Sequence, residues 1–136
     1  MMTEKELFTI WDTRQEIEQL QEKIQALQCV VTSTTKIIDD LPKGTVTNSD
    51  KVGRLTAEII DVENKIRQLE ESLEVSSVAL YNFFYSELDS RTATVMFLRY
   101  VGCREWKEIS QVVELSETRI LQLHRKAKKK LLSVTA

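Results

Sequence analysis

Apolar residues recur every seven positions along the first part of the chain, in the a and d arrangement of a helix that packs against another helix. One set is Ile10, Ile17, Ile24, Val31 and Ile38, and the interleaved set is Thr13, Leu20, Leu27, Thr34 and Leu41. Thr3 followed by Glu6 predicts a capping box at the start. The pattern therefore predicts a helix over residues 4–38, whose apolar stripe needs a partner.

A second heptad segment comes after the clearest break in the chain. Residues 39–50, "DDLPKGTVTNSD", hold the single proline, a glycine and several turn formers, and Asn48 or Ser49 can cap the next helix. Its a and d positions are Val52, Leu55, Ile59, Val62, Ile66, Leu69 and Leu73. Two such helices joined by a short loop predict an antiparallel coiled-coil hairpin over residues 1–74.

Two features of this arm leave alternatives open. Each apolar stripe can pair within the chain or with another chain. The first helix is also expected to be longer than the second, and its excess around Phe8 and Trp11 can pack on the remaining helices or on a second subunit.

Residues 75–136 predict a second helical domain. Helical spacing of Val78, Tyr81, Phe84, Tyr85 and Leu88 indicates a core joint between the arm and the basic end of the chain. Three short helices then span residues 90–133, the first capped by Ser90 and ended by Gly102, and the third capped by Ser116 after a turn at Glu114 and Leu115. The predicted core faces of these helices are Val95, Phe97 or Leu98, and Val101; Trp106, Ile109, Val112 and Val113; and Ile120, Leu123 or His124, Ala127 and Leu131. The expected fold is all-α.

Charge is distributed unevenly along the chain. Residues 1–90 carry 9 Lys and Arg against 17 Asp and Glu, whereas residues 91–136 carry 10 against 4, so balances of −8 and +6 give the net −2. A basic segment at one end indicates a polyanionic partner. The simpler interpretation is a solvated helix end whose lysines favour the helix dipole.

The sequence offers little for catalysis or metal binding. His124 is the single histidine, the two cysteines stand apart at Cys29 and Cys103, and no glycine-rich phosphate loop is present. We therefore expect no enzyme activity, no cofactor and no metal. The absence of an 18-residue apolar run and of a signal-like amino terminus predicts a cytoplasmic protein with no membrane partner.

A short helix, a turn and a longer basic helix are the layout of a helix-turn-helix, whose second helix enters the major groove of DNA. The residues opposite the predicted core face, with one on the supporting helix, are the candidate DNA-binding residues: Lys107, Glu117, Thr118, Arg119, Gln122, Arg125, Lys126 and Lys129.

These candidates divide by their place along the third helix. Thr118, Arg119 and Gln122 fall in the first two turns, within reach of base edges, and arginine pairs with guanine and glutamine with adenine. Glu117 either favours the helix start or accepts a hydrogen bond from a cytosine amino group. The cations further along, together with Lys107, are expected to contact phosphates.

The segment "FLRYVGCREWKEISQVVELSETRILQLHRKAKKKL" (97–131) resembles region 4 of the sigma-70 class, its carboxy-terminal promoter-reading helix-turn-helix. The matching features are "LRY" at 98–100, aromatic-x-Glu-Ile at 106–109, "LS" at 115–116 and "HRKAKKKL" at 124–131. The resemblance implies a recognition surface on Glu117, Thr118, Arg119 and Gln122. The chain departs from the pattern at Glu114, usually glycine, and at Glu105, usually a serine cap.

The whole chain is similar to a different group. A heptad arm, then "LPKGTVTNSDKVGRLTAEIIDVENKI" (41–66), then a region-4-like end is typical of the ArpU/RinA-like phage transcription regulators of Gram-positive bacteria. That resemblance implies a phage or prophage activator of late genes that binds double-stranded promoter DNA. The arm is expected to form a homo-oligomer, a dimer or tetramer, or to contact RNA polymerase.

Two further hypotheses remain. A phage DNA-packaging component such as a small terminase subunit also combines a helix-turn-helix with helical arms, although it usually carries the DNA-binding part first. A coiled-coil adaptor with an incidental basic tail is the other. Mass measurement separates the first of these from a regulator, because packaging subunits form rings.

Overall fold

The computed structural model describes residues 3–39 and 47–134, and this part of the chain is all-α, as predicted. Its helices are α1 (Glu4–Leu7), α2 (Thr9–Asp39), α3 (Thr47–Glu87), α4 (Ser90–Tyr100), α5 (Trp106–Val113) and α6 (Glu117–Val134). The capping box at the start is confirmed, because the Thr3 hydroxyl accepts from the Glu6 amide while the Glu6 carboxylate accepts from the Thr3 amide. The predicted single first helix is wrong in one detail, since Phe8 separates α1 from α2.

Contacts divide the chain into two compact units, residues 15–71 and residues 1–14 together with 72–136. The heptad pattern assigns the first fourteen residues to the arm instead. In the structure Leu7 and Ile10 are fully buried in a cluster that includes Phe84 and Tyr100. The residues around Phe8 therefore pack on helices of the same chain.

The unit of residues 15–71 follows the heptad pattern closely. Within residues 15–35 and 50–71 every a and d position is buried or half-buried, and every other position is exposed. The Nζ atom of Lys23 on α2 lies 3.0 Å from Oε1 of Glu58 on α3. Residues 40–46, where the sequence predicts the loop, and the side chains of Ile38 and Leu41 lie outside the described residues. Helix α3 begins at Thr47, ahead of the predicted caps Asn48 and Ser49.

In the other unit, α4, α5 and α6 pack around two buried clusters. One contains Val95, Ile109, Ile120 and Leu123, and the other contains Leu7, Ile10, Leu80, Phe84, Ala93, Met96, Tyr100, Val101, Ala127 and Leu131. Helix α4 contributes to both, because Val95 faces one cluster while Met96 faces the other. The predicted inner face of α6 is confirmed, since Ile120, Ala127 and Leu131 are buried and Leu123 rather than His124 joins them.

Several predicted core positions are wrong. Val112 is 62% exposed, and Val78 and Tyr81 are 56% and 46% exposed. The face of α3 that packs inward instead runs through Leu80 and Phe84, which are shifted around the helix from Val78 and Tyr81. Helix α3 also continues without interruption to Glu87, past residue 74, the predicted end of the arm. The prediction that the first helix is longer than the second is therefore wrong, since α3 has 41 residues and α2 has 31.

The caps and turns of the second unit are specific. Asp89, rather than the predicted Ser90, caps α4, since its carboxylate accepts from the Thr92 amide at 3.3 Å. Helix α4 ends at Tyr100 with Val101 as its C-cap, rather than at the predicted Gly102. A side chain at Gly102 is excluded because a Cβ would lie 2.8 Å from the carbonyl oxygen of Leu98. Glu105 precedes α5 without a side-chain capping bond.

Candidate nucleic-acid interface

The turn that leads into α6 is held by a small set of hydrogen bonds. The backbone amides of Glu114 and Leu115 both donate to the carbonyl of Ser110, and the Ser110 hydroxyl donates to the Leu115 carbonyl at 2.5 Å. Ser116 then caps α6 as predicted, because its Oγ accepts from the Arg119 amide at 3.2 Å. The direction in which α6 leaves α5 is therefore fixed by this turn.

Burial of one side of α6 leaves the opposite side free to face solvent. Ile120 and Leu131 are fully buried, and Ala127 is 1% exposed. All eight predicted site residues lie outside this core and are exposed: Lys107, Glu117, Thr118, Arg119, Gln122, Arg125, Lys126 and Lys129. The inner and outer faces predicted for α6 are thus the ones observed.

Five of the eight site residues line one shallow depression, which we call the α6 outer face: Arg119, Gln122, Arg125, Lys126 and Lys129. Within it, Nη1 of Arg119 donates to Oε1 of Gln122 at 3.3 Å. Glu117 and Thr118 lie earlier on α6, and Lys107 lies on α5. The structure therefore brings together four cations and one amide, whose chemistry suits an anionic surface with polar edges.

A second depression, the α4–α6 groove, lies between the start of α4 and the side of α6. It is lined by Leu88, Asp89, Arg91, Thr92, Arg119, Leu123, Lys126, Ala127 and Lys130. Arg91 is a cation of this surface that the sequence pattern does not indicate. Its place in the first turn of α4 gives no signal, because only tertiary packing brings that turn beside α6.

A polar centre lies behind the α6 outer face. The Tyr100 hydroxyl and Nε2 of His124 are 2.6 Å apart, and the His124 ring meets that of Trp106 edge to face at 4.7 Å. Burial lowers the pKa of His124 to about 4, with the positive charges of Lys128 and Arg99 adding to the shift. Burial likewise raises the pKa of Tyr100 to about 12. Both side chains are therefore neutral at neutral pH.

The amino-terminal residues brace this centre. The Arg99 guanidinium lies between two indoles, 4.7 Å from the Trp11 ring centre and 4.5 Å from that of Trp106. The Trp11 indole N–H donates to the Arg99 carbonyl at 2.8 Å, and the Arg14 guanidinium donates to the Val101 carbonyl at 3.0 Å.

An ion pair occupies one flank of α6. Nζ of Lys128 lies 2.6 Å from Oε1 of Glu4, and hydrogen bonding to Lys128 lowers the pKa of the Glu4 carboxyl. Lys128 is thus engaged with α1, whereas neither Lys126 nor Lys129 forms an ion pair with a described carboxylate.

Two other kinds of site are absent from the part of the chain that the structure describes. It includes no group of three or more His, Cys, Asp or Glu side chains placed to hold a metal ion. Nor does it include a helix with the length and apolar character needed to cross a membrane.

The chain matches no protein-family model, no curated protein and no solved structure. Its resemblances to sigma-70 region 4 and to the ArpU/RinA-like regulators therefore stay predictions that rest on the sequence.

Proposed function

We propose that the protein is a sequence-specific, double-stranded-DNA-binding transcriptional regulator that reads promoter DNA with α6. The observation that carries the proposal is the α6 outer face, where four exposed cations and Gln122 lie opposite the buried inner face of the helix. A helix fixed in this way presents its side chains in a constant arrangement, which reading of base edges requires. The sequence resemblance supports the narrower proposal that the protein is encoded by a phage or prophage and activates late genes.

We interpret α5, the turn at residues 114–116 and α6 as a helix-turn-helix, with the start of α6 in the major groove. Thr118, Arg119 and Gln122 then lie nearest the base edges. The hydrogen bond from Arg119 to Gln122 orients the guanidinium, while its remaining N–H groups stay available to guanine O6 and N7. Arg119 is therefore the residue expected to contribute most to specificity.

The other cations are assigned to the phosphates. Arg125, Lys126 and Lys129 lie beyond the first two turns of α6, and Lys107 lies on the supporting helix α5. Contacts of this kind fix the position of a protein on the duplex and contribute affinity for every sequence. Glu117 stays at the helix start, where its charge favours the helix dipole.

We further propose that residues 15–71 form an antiparallel coiled-coil hairpin that mediates oligomerisation or contact with RNA polymerase. Full or partial burial at every heptad position within residues 15–35 and 50–71, together with the Lys23–Glu58 ion pair, supports pairing within the chain. Several heptad residues are only half-buried, among them Ile24 and Ile59, which leaves apolar area for a second chain. Mass measurement tests this part, with a dimer or tetramer expected and a larger ring favouring a packaging subunit.

The decisive experiment is selection of bound sequences from random duplex DNA, followed by fluorescence anisotropy on the selected site and on an unrelated duplex. Arg119→Ala should reduce the preference for the selected site, while Lys129→Ala should weaken binding to both duplexes alike. Arg67→Ala, which removes an exposed cation from the other unit, is the matched control and should leave both affinities unchanged. The proposal is refuted if the selection enriches no sequence and the protein binds no duplex with a salt-sensitive affinity.

A further inference from the structure

We propose that the α4–α6 groove binds a phosphate of the DNA backbone, with Arg91 on α4 as a contact additional to those of α6. This inference rests on the proposed function and extends it. It assigns part of the interface to a helix outside the helix-turn-helix, at a position that no sequence motif marks.

Cationic side chains outnumber carboxylates in the described lining of the groove. Among the described residues that line it are four cations, Arg91, Arg119, Lys126 and Lys130, and one carboxylate, that of Asp89. Its floor is apolar, because Leu123 and Ala127 are buried there. Concentrated positive charge beside low-dielectric walls focuses an attractive potential on an anion. A tetrahedral phosphate with charged oxygens matches such a lining, and arginine is well suited to binding it.

The groove is continuous with the α6 outer face, and this favours a phosphate of the DNA backbone over a free anion as its ligand. Arg119 and Lys126 line both depressions, so the groove begins where the outer face ends. A duplex whose base edges meet the outer face must pass a backbone strand along each side of α6. The groove lies on one of those sides. A phosphodiester of that strand is therefore its occupant, and a free anion is not.

Asp89 provides a test that preserves the fold. Its carboxylate caps α4 through the Thr92 amide, and hydrogen bonds from Thr92 lower the pKa of this carboxyl, so it is charged at neutral pH. Asparagine caps helices about as well as aspartate does. Asp89→Asn should therefore keep the helix start, remove the negative charge of this carboxylate from the groove and strengthen binding to every duplex.

The main experiment compares Arg91→Ala with Arg104→Ala in the full chain. Both remove one exposed cation from the same unit. The Arg104 amide donates to the carbonyl of Leu98, seven residues along α4 from Arg91 and so about 10 Å from it along the helix. We expect Arg91→Ala to lower affinity about tenfold, equally for selected and unrelated duplexes. The log–log salt slope should become shallower by about 0.9, the change expected when one phosphate is no longer neutralised.

The outcomes separate this proposal from the previous one. Equal affinities and slopes for Arg91→Ala and Arg104→Ala would overturn the groove proposal, while loss of binding in Lys129→Ala would leave the proposed function standing. Failure of the unaltered chain to bind duplex DNA would overturn both. Inorganic phosphate titrated against the protein without DNA should give no saturable binding; saturable binding that Arg91→Ala abolishes would assign the groove to a free anion instead.

Discussion

Glu114 holds a left-handed backbone conformation, with φ of 58° and ψ of 41°, in the turn between α5 and α6. Residues with a Cβ atom are disfavoured in this region, and glycine is not. Hydrogen bonds from the backbone amides of Glu114 and Leu115 to the Ser110 carbonyl maintain the turn in spite of that cost. The strain at this residue is thus the local consequence of fixing α6 relative to α5.

Glu114→Gly should therefore stabilise the protein. Removing the Cβ relieves the left-handed strain, and we expect the free energy of unfolding to rise by about 1 kcal/mol. Urea denaturation followed by circular dichroism measures it. Glu105→Gly is the control, since Glu105 has a φ of −78° and gains nothing from glycine. A loss of stability in Glu114→Gly would show that the Glu114 side chain contributes more than its backbone costs.

His124 predicts how stability depends on pH. Burial lowers its pKa from 6.5 to about 4, so between these values the unfolded chain binds a proton that the folded chain does not. The free energy of unfolding should then fall by about 1–2 kcal/mol as the pH is lowered from 7 to 5. Well above pH 6.5 His124 is neutral in both states, and its titration no longer changes the stability. Denaturation of His124→Gln, which can keep a hydrogen bond to Tyr100, should lack this decline; an equal decline in both would assign it to other groups.

Within the heptad helices, the position of a residue in the repeat determines how far its side chain is buried. Ile66 at a heptad position is 8% exposed, whereas Ile60, on the same helix α3, is 52% exposed. The two isoleucines have the same chemistry and the same helix propensity. Any difference between substitutions at these positions therefore reports burial alone.

Ile66→Ala should cost about 2–4 kcal/mol of unfolding free energy, because it removes buried methylene and methyl groups and leaves a cavity. Ile60→Ala should change it by less than about 0.5 kcal/mol. Thermal and chemical denaturation of the two variants in parallel make the comparison. Similar costs at both positions would mean that Ile60 is covered in solution, for example by a second chain.

The sequence predicts the features of these helices that depend on local interactions. The heptad stripes, the Ser116 cap and the inner face of α6 depend on local spacing and local hydrogen bonds, and the sequence predicts them. It does not predict the choice of Asp89 over Ser90, because two capping residues in succession satisfy the same pattern.

Longer-range features depend on packing that periodicity does not encode. Val112 fits the helical spacing of a core face, yet α4 and α6 cover only Ile109 of that face fully. The contact of Trp11 with Arg99 joins residues 88 positions apart. Arg91 becomes a candidate for the interface only through its position beside α6.

The uneven distribution of charge along the chain predicts that affinity for DNA falls as salt is added, whereas the free energy of unfolding changes little. The net charge is −2, so general attraction to DNA is weak and contacts at residues 91–136 must supply the affinity. If Lys107, Arg125, Lys126 and Lys129 each neutralise one phosphate, the log–log slope of affinity against salt per chain is about −3.6, and a contact in the groove makes it about −4.5.

Anisotropy titrations from about 50 to 200 mM salt measure this slope, with unfolding free energy determined at the same concentrations as the control. The exposed Lys23–Glu58 and Arg104–Glu108 ion pairs contribute little to stability, so the unfolding free energy should change only slightly. A slope near zero would contradict binding through phosphates.

The guanidinium of Arg99 touches Trp11 and Trp106, and these are the only two tryptophans of the chain. All of the tryptophan fluorescence of the protein therefore originates where the amino-terminal segment meets α4 and α5. A change in intrinsic fluorescence would register separation of that junction without any label. The protein carries its own optical probe of whether the amino-terminal segment stays docked when α6 meets a ligand.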